Sequence, residues 1–178
     1  MNIKERYKKE IAPKLQEELG IKNVMAIPTV KKITVSIGIP ASNKDAKFAE
    51  TAEQTLERIT GQKPVKTKAK KSVAGFKIRE GMTVGMMVTL RGDRMWDFLS
   101  RLTQATFPRI RDFRGISTKH IDARGNISIG FQENLAFPEI NPDEVEHVHG
   151  LQVTVTSNAG TRERGLALFK ALSFPFTQ

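Results

Sequence analysis

The 178-residue chain contains no cysteine and only three histidines. The lack of cysteine excludes a disulfide framework and thiolate metal sites, and it is compatible with a reducing compartment. No apolar run approaches the roughly 20 residues that a membrane span needs. The N-terminal residues mix charged with isolated apolar side chains, so they lack the apolar core of a signal peptide. We therefore expect a cytoplasmic protein with no membrane among its partners.

Recognisable catalytic motifs are absent as well. Nothing in the sequence matches the phosphate-binding P-loop or the dinucleotide-binding glycine fingerprint. His147 and His149 lie two residues apart, but without cysteine or a third suitable histidine we expect no metal site. No spacing of aspartates singles out a pair for two-metal nuclease chemistry. These absences favour a binding protein over an enzyme, and we expect neither a cofactor nor a bound metal.

Positive charge is what the chain has in excess. It holds 29 lysines and arginines against 19 aspartates and glutamates, which gives a net charge of +10 and a pI near 10.0. An excess of this size attracts polyanions, nucleic acid before anionic membranes. Lysine dominates residues 62–91, arginine is the only cation in residues 91–114, and residues 132–149 are acidic. This separation suggests more than one kind of partner, although each region could be only a solvated face.

Hydrophobic periodicity predicts an α+β fold. Alternating apolar residues predict five strands, at residues 31–39, 65–70, 82–90, 126–131 and 150–158. Apolar stripes at helical spacing predict about four helices, at residues 3–19, at 43–60, from Asp93 as N-cap to a stop before Pro108, and from Thr161. Pro13 predicts a kink or a late start in the first helix. We expect a single domain, residues 1–178, with a five-stranded, mostly antiparallel or mixed sheet and helices packed on one face.

The outward face of the predicted sheet carries small and polar side chains. Its members are Thr34, Ser36, Gly38, Lys66, Lys68, Thr83, Gly85, Thr89, Asn126, Ser128, Gly130, Gln152, Thr154 and Thr156. Hydroxyl and amide groups both donate and accept hydrogen bonds, and small residues let a bulky partner approach, so this face would suit an RNA minor groove. It could equally be an ordinary solvent-facing surface, because threonine is favoured in strands.

The stretch KTKAKKSVAGFKIREG, residues 66–81, predicts an extended basic hairpin. Residues 65–70 and 82–90 would pair, with residues 71–81 at the tip. The lysines would neutralise phosphates, and Phe76 would stack on a base or a sugar. Phe76 could instead fold back onto its own hairpin, and a basic amphipathic arm could also touch anionic lipid.

The run TGQKPVKTKAKKSVAGFKIREGMTVGMMVTLRGDRMWDFLSRL resembles the bacterial large-subunit ribosomal protein five family, the 5S rRNA-binding proteins of the central protuberance. The resemblance continues through FPRIRDFRGI, GNISIGFQE, FPEI and the terminal FPF, so it covers essentially the whole chain. It implies a structural, non-enzymatic component of the large ribosomal subunit that takes part in translation.

By position, the resemblance implies two RNA-contacting regions. The sheet face would bind 5S rRNA through Lys32, Thr34, Ser36, Gln62, Lys63, Lys66, Lys68, Thr89 and Arg91. The hairpin tip would contact the tRNA in the peptidyl site through Ser72, Val73, Ala74, Gly75, Phe76, Lys77, Ile78 and Arg79. After the first strand, family members usually have Gly-Val-Gly-Glu-Ala, whereas this chain has Pro40 and Ala41 at the third and fourth positions. Pro40 removes an amide donor and Ala41 removes a carboxylate.

The resemblance also implies contacts with other ribosomal components. A loop facing the small-subunit head would help form an intersubunit bridge with a basic head protein through Arg109, Arg111, Asp112, Phe113 and Arg114. The acidic residues 132–149 could contribute to this bridge. Further implied partners are 23S rRNA and the neighbouring 5S-binding ribosomal proteins. The alternatives are a general RNA-binding or RNA-processing protein outside the ribosome, or a general polyanion binder.

Overall fold

The computed structural model describes residues 3–39, 46–142 and 148–177. Its strands are β1 (Val30–Gly38), β2 (Val65–Lys68), β3 (Thr83–Leu90), β4 (Ile127–Phe131) and β5 (Leu151–Ser157). Its helices are α1 (Ile3–Arg6), α2 (Ala12–Glu18), α3 (Ala46–Thr60), α4 (Gly92–Arg101), α5 (Phe107–Arg109) and α6 (Arg162–Ala171). The strands form one antiparallel sheet in the order β2-β3-β1-β5-β4. The predicted α+β class is therefore confirmed.

The sheet buries alternate residues along its strands, as the side-chain period of a strand requires. On β1, Ile33, Val35 and Ile37 are buried, whereas Thr34 and Ser36 between them are half-buried. The corresponding buried residues of the other long strands are Met86, Val88, Leu90, Ile127, Ile129, Phe131, Leu151, Val153 and Val155. We call their side of the sheet the core face. The open face carries the alternating residues Lys32, Thr34, Ser36, Thr83, Gly85, Met87, Thr89, Ser128, Gly130, Gln152, Thr154 and Thr156.

A π-helical turn, Tyr7–Ile11, joins α1 to α2 just ahead of Pro13, and a second one, Leu102–Thr106, joins α4 to α5 just ahead of Pro108. The N–H of Ala12, just before Pro13, donates to the carbonyl of Tyr7, and the N–H of Phe107, just before Pro108, donates to that of Leu102. Proline has no N–H, and its ring clashes with the carbonyl four residues back in a regular α-helix. The wider turn shifts the hydrogen-bonding register just ahead of the ring, which relieves that clash. Helical structure continues to Arg109, so the predicted stop before Pro108 is wrong. Of the two alternatives for Pro13, the late start is wrong because helical structure begins at Ile3, and the kink stays a prediction.

Asp93 does not cap the third helical segment. α4 begins at Gly92, and Arg91, at the N-cap position, has extended backbone and makes no side-chain cap hydrogen bond. The Asp93 carboxylate instead accepts a hydrogen bond from Nζ of Lys4. That hydrogen bond, together with the positive charge of Lys4, lowers the pKa of Asp93. The cap prediction is wrong because a residue 89 positions away in the chain, which no local pattern reveals, binds the carboxylate.

The chain divides into two compact units. Unit 1 comprises Met1–Ile33, Leu90–Ile129 and Thr154–Gln178, and unit 2 comprises Thr34–Thr89 and Gly130–Val153. In unit 1, Phe107 packs on Phe113 and Phe174, with ring centroids 5.7 and 5.6 Å away. In unit 2, Phe131 packs on Phe137 at 5.1 Å. The single domain expected from the sequence stays a prediction.

The described ranges contain neither a candidate membrane span nor a candidate metal site. None of the helices within residues 3–39, 46–142 and 148–177 is long and apolar enough to cross a membrane. The same ranges contain no group of three histidine, cysteine, aspartate or glutamate side chains that could hold a metal ion. The predicted helix start near Asn43 lies outside the described residues, and so do Pro40 and Ala41.

Candidate nucleic-acid interface

The open face of unit 2 includes several small residues, and Gly85 of β3 shows a steric reason for one of them. A Cβ atom built on Gly85 would lie 2.8 Å from the carbonyl oxygen of Ile37 and 3.1 Å from Oγ1 of Thr67. Only glycine fits at such a close approach between neighbouring strands. Beside it on β1, Thr34 and Ser36 present hydroxyl groups, which both donate and accept hydrogen bonds. Gly85 therefore adds no side chain to the open face between these two strands.

Lys66 and Lys68 of β2 belong to opposite faces of the sheet. In the antiparallel pairing of β2 with β3, Lys66 lies opposite Met86, and Lys68 lies opposite Thr83. Directly opposed residues share a face, so Lys66 lies with buried Met86 and Lys68 lies on the open face. The cause is a register shift between Thr67 and Lys68, which breaks the strict alternation. The outward placement predicted from the sequence is therefore wrong for Lys66 and correct for Lys68.

Glu53 of α3 holds the side chain of Lys66. Nζ of Lys66 lies 2.9 Å from Oε2 of Glu53. This hydrogen bond has the largest effect on Glu53 and lowers its pKa; burial opposes it, and the charges of Lys66 and Lys63 lower the pKa further. Half of the Lys66 side chain is exposed, so solvent screens the pair and its contribution to stability is small. Glu53 nevertheless determines where the Lys66 charge lies, a role that no spacing in the sequence indicates.

Gln62 and Lys63 follow the C-terminal end of α3. Oγ1 of Thr60 donates to the carbonyl of Leu56 at 2.6 Å and accepts from the N–H of Gln62 at 3.3 Å. Gly61 has a φ of +66°, the left-handed conformation that commonly ends a helix. These contacts fix the turn, with Gln62 half-buried and Lys63 exposed.

The remaining residues predicted to bind 5S rRNA lie on β1 and β3 or directly after β3. Arg91 directly follows β3 with extended backbone, φ −141° and ψ 166°, and it is exposed. The open face carries the other four residues, Lys32, Thr34, Ser36 and Thr89. The structure thus brings Thr34, Ser36, Lys68 and Thr89 of unit 2 onto one face, and it does not bring Lys66 there.

The segment between β2 and β3 closes as a compact tip. Val73 and Ile78 form an isolated antiparallel bridge with N–H to carbonyl distances of 2.9 and 3.2 Å. Between them lies a 3-10 turn, Ala74–Phe76, followed by Lys77 in the left-handed conformation with φ 54°. Because β2 has only four residues, the extended form of the hairpin stays a prediction.

Phe76 is the most prominent apolar side chain of this tip. It is 72% exposed, so it does not fold back onto the hairpin. Lys71, Lys77 and Arg79 around it are exposed as well. A projecting ring among cations is the combination that stacks on nucleobases or sugars while the charges bind phosphates.

The predicted bridge residues are the last residue of α5 and part of the loop that follows, which is held at both ends. Phe113 stacks on Phe107, with ring planes 8° apart. At the other end, the N–H of Ile116 donates to the carbonyl of Pro175 at 2.7 Å, and the N–H of Thr177 donates to the carbonyl of Ile116 at 3.0 Å. Phe113 therefore anchors the loop, and the exposed side chains are those of Arg109, Arg111, Asp112 and Arg114. Of the acidic segment 132–149, residues 143–147 lie outside the described residues.

A polar network around Asp122 was not predicted from the sequence. Its carboxylate accepts hydrogen bonds from the N–H groups of Arg124 and Asn126 and from Nδ2 of Asn126, at 2.7–2.9 Å. Burial raises the pKa of Asp122, but these hydrogen bonds outweigh it and the pKa lies below the ordinary value. Oδ1 of Asn126 accepts from the N–H of Ser157. Aspartate, glycine and asparagine close together in DARGN are a turn signal that could have revealed this site.

Comparison with known proteins identifies the family. Residues 23–79 match the family model of ribosomal protein L5, and residues 83–176 match the model of the C-terminus of the same ribosomal family. The large ribosomal subunit protein uL5 of Francisella tularensis subsp. tularensis (strain SCHU S4 / Schu 4) is 51% identical over 174 residues, 98% of this chain and 97% of that protein. The protein of the same name from subsp. novicida (strain U112) has the same identity and coverage. The chain therefore belongs to the ribosomal protein L5 family, whose members are structural, non-enzymatic components of the large ribosomal subunit.

Proposed function

We propose that this chain binds 5S rRNA within the large ribosomal subunit in the cytoplasm, as a single RNA-binding domain. The observation that carries the proposal is the open face of unit 2, where Gly85 adds no side chain beside two hydroxyl residues and Lys68. A-form RNA displays 2′-hydroxyls and phosphates along a wide, shallow minor groove, which such a surface complements. The proposed contact residues are Lys32, Thr34, Ser36, Gln62, Lys63, Lys66, Lys68, Thr89 and Arg91.

The tip between β2 and β3 is proposed to contact the tRNA in the peptidyl site through residues 72–79. Phe76→Ala should weaken this contact by about 1–3 kcal/mol, the range for an aromatic ring that stacks on a base. Stability should change by less than about 0.5 kcal/mol because the ring is mostly exposed. Footprinting of tRNA on ribosomes that carry the variant measures the contact. The control is Val24→Ala, an exposed apolar residue outside the tip; loss of 5S rRNA binding in Phe76→Ala would contradict the division of roles.

Further contacts are proposed for the loop at residues 109–114. Its exposed arginines and Asp112 would meet the small-subunit head in an intersubunit bridge, while Phe113 anchors the loop on Phe107. We also propose 23S rRNA and the neighbouring 5S-binding ribosomal proteins as partners. Support for these contacts is the exposure of the loop and the family assignment.

A gel-shift competition at physiological salt tests the central proposal. Labelled 5S rRNA bound to the protein is challenged with excess tRNA, unrelated duplex RNA and heparin. Selective recognition predicts that the 5S complex survives all three competitors. If every polyanion displaces 5S rRNA equally well, the net charge of +10 explains the binding and the proposal is wrong.

A further inference from the structure

The side chain of Ser72 takes part in the fold of the tip between β2 and β3. Oγ of Ser72 accepts a hydrogen bond from the N–H of Glu80 at 2.8 Å. The two residues are eight positions apart and lie just outside the Val73–Ile78 bridge, one on each arm of the hairpin. The hydroxyl group therefore closes the tip at the point where its two arms meet the bridge.

Hydrogen bonds cross the hairpin both at the base of the tip and at its end. At the base, the N–H of Gly81 donates to the carbonyl of Ala69 at 3.0 Å. At the end, the N–H of Val73 donates to the carbonyl of Ile78 at 2.9 Å. The Ser72 hydrogen bond crosses the hairpin between these two points, so it couples the paired base to the 3-10 turn at the end.

The backbone of the tip includes a conformation that the chain does not adopt freely. Lys77 has a φ of 54°, in the left-handed region that a residue with a Cβ atom rarely occupies. Its N–H donates to the carbonyl of Ala74 at 3.0 Å, and the N–H of Phe76 donates to the carbonyl of Val73 at 3.3 Å. Backbone in such a conformation persists only where the contacts around it hold it. Each hydrogen bond that closes the tip therefore helps to keep the exposed ring of Phe76 in place.

We propose that Ser72 is a positioning residue: it holds Phe76 in place through the N–H of Glu80 and does not itself bind the tRNA. The inference rests on the proposed function of the tip as a tRNA contact. A ring that is already held in its binding position loses less conformational entropy when the tRNA binds. Without the hydroxyl group, the tip would sample other conformations, and the affinity for tRNA would fall with the fraction of molecules that remain competent to bind.

The test is a double-mutant cycle on ribosomes that carry the full-length chain. The variants are Ser72→Ala, Phe76→Ala and the two changes together, and the measurement is the Kd of tRNA in the peptidyl site. Ser72→Thr keeps the hydroxyl group and is the conservative rescue. Ser117→Ala is the matched control, because Oγ of Ser117 also accepts from a backbone N–H, that of Lys119, outside the tip. Hydrogen exchange of each free protein measures how well the N–H of Glu80 and the tip amides are protected.

Ser72→Ala should raise the Kd by about two- to tenfold, the effect of one hydrogen bond, and should speed exchange at Glu80 in the free protein. In the Phe76→Ala background, the same change should raise the Kd by less than about twofold, because the ring through which Ser72 acts is gone. Ser72→Thr should restore most of the affinity, and Ser117→Ala should leave it unchanged.

Three results would overturn the proposal. If the effects of Ser72→Ala and Phe76→Ala on the Kd are fully additive, Ser72 binds the tRNA directly and the proposed function of the tip stands. If Ser72→Ala changes neither the Kd nor the exchange at Glu80, the hydrogen bond does not hold the tip. If Ser72→Ala speeds exchange but neither it nor Phe76→Ala changes the Kd, the proposed tRNA contact is wrong and the positioning role fails with it.

Discussion

At the scale of single residues, the size of a side chain on the open face is limited by how closely the neighbouring strands approach it. Gly85 lies where the backbone of β1 and the hydroxyl of Thr67 approach most closely. Gly38 lies on the neighbouring strand with no atom within 4 Å of a built Cβ. Two strand glycines in one unit therefore differ in what they are needed for, and the difference is testable.

Gly85→Ala should destabilise the protein by about 1–3 kcal/mol, because the added methyl group overpacks against the carbonyl of Ile37. Urea denaturation measures the free energy of unfolding. Gly38→Ala is the matched control and should change it by less than about 0.5 kcal/mol. Similar losses in both variants would show that the close approach at Gly85 does not limit the side chain.

Asp122 should make the free energy of unfolding depend on pH. Its pKa is lowered in the folded chain, so its contribution is complete above the ordinary aspartate pKa of about 3.9 and is lost as the pH falls through the lowered value. Asp122→Asn should therefore be less stable than wild type at neutral pH, and the gap should shrink towards about pH 3. Urea midpoints at both pH values measure it, with Asp112→Asn as the control. A gap that does not change with pH would contradict the assignment.

At the scale of elements, the edge strand β2 shows how one irregularity redistributes charge. Without the register shift between Thr67 and Lys68, both lysines would lie on the same side. With it, Lys68 is on the open face, and Lys66 is bound by Glu53 of α3. Two lysines that look equivalent in the sequence are thus expected to differ towards RNA.

Lys68→Ala should reduce the salt slope of 5S rRNA binding by about 0.7–0.9, the value of one phosphate contact. Lys66→Ala should reduce it less, because Glu53 holds that side chain near α3. Filter binding over a salt series measures both slopes. Glu53→Gln is the complementary variant, and it should leave 5S affinity unchanged or raise it by releasing Lys66. A larger effect of Lys66→Ala than of Lys68→Ala would refute this account.

At the scale of the whole molecule, segments that are far apart in the chain pack into the same compact unit. Unit 1 is assembled from three separate stretches and unit 2 from two. The loop at residues 109–116 depends on the C-terminus, since Ile116 pairs with Phe176 in a parallel bridge and Oγ1 of Thr177 donates to the carbonyl of Arg114. The C-terminal residues therefore help to position the proposed bridge residues 109–114.

Deleting residues 176–178 should loosen this loop. The deletion removes the hydrogen bonds of Thr177 to Ile116 and Arg114, so trypsin should cleave after the loop arginines faster than in wild type. Limited proteolysis with mass spectrometry measures the rate at each site. Deletion of Gln178 alone is the control and should leave the cleavage rate unchanged. Binding of 5S rRNA should be unchanged in both truncated chains. Equal cleavage of the two truncated chains would contradict the anchoring role.

Local pattern was enough to predict the α+β class, the five strands and the family. Strand and helix periods follow directly from which side chains must be buried, as with Ile33, Val35 and Ile37 on β1. Strand ends were predicted less well, since residues 65–70 were expected and β2 ends at Lys68. The family was inferred from long contiguous motifs, and that inference does not depend on where the strands and helices begin and end.

Contacts between distant residues decided the rest. The face of Lys66 depends on the pairing register with β3, the partner of Asp93 is Lys4, and Gly165 of α6 packs against Gly125. None of these is encoded in a local period, because each depends on where a second segment lies once the core has formed. Residue types and periods determine which elements form and what chemistry they carry, whereas the packing of those elements determines which charges share a surface.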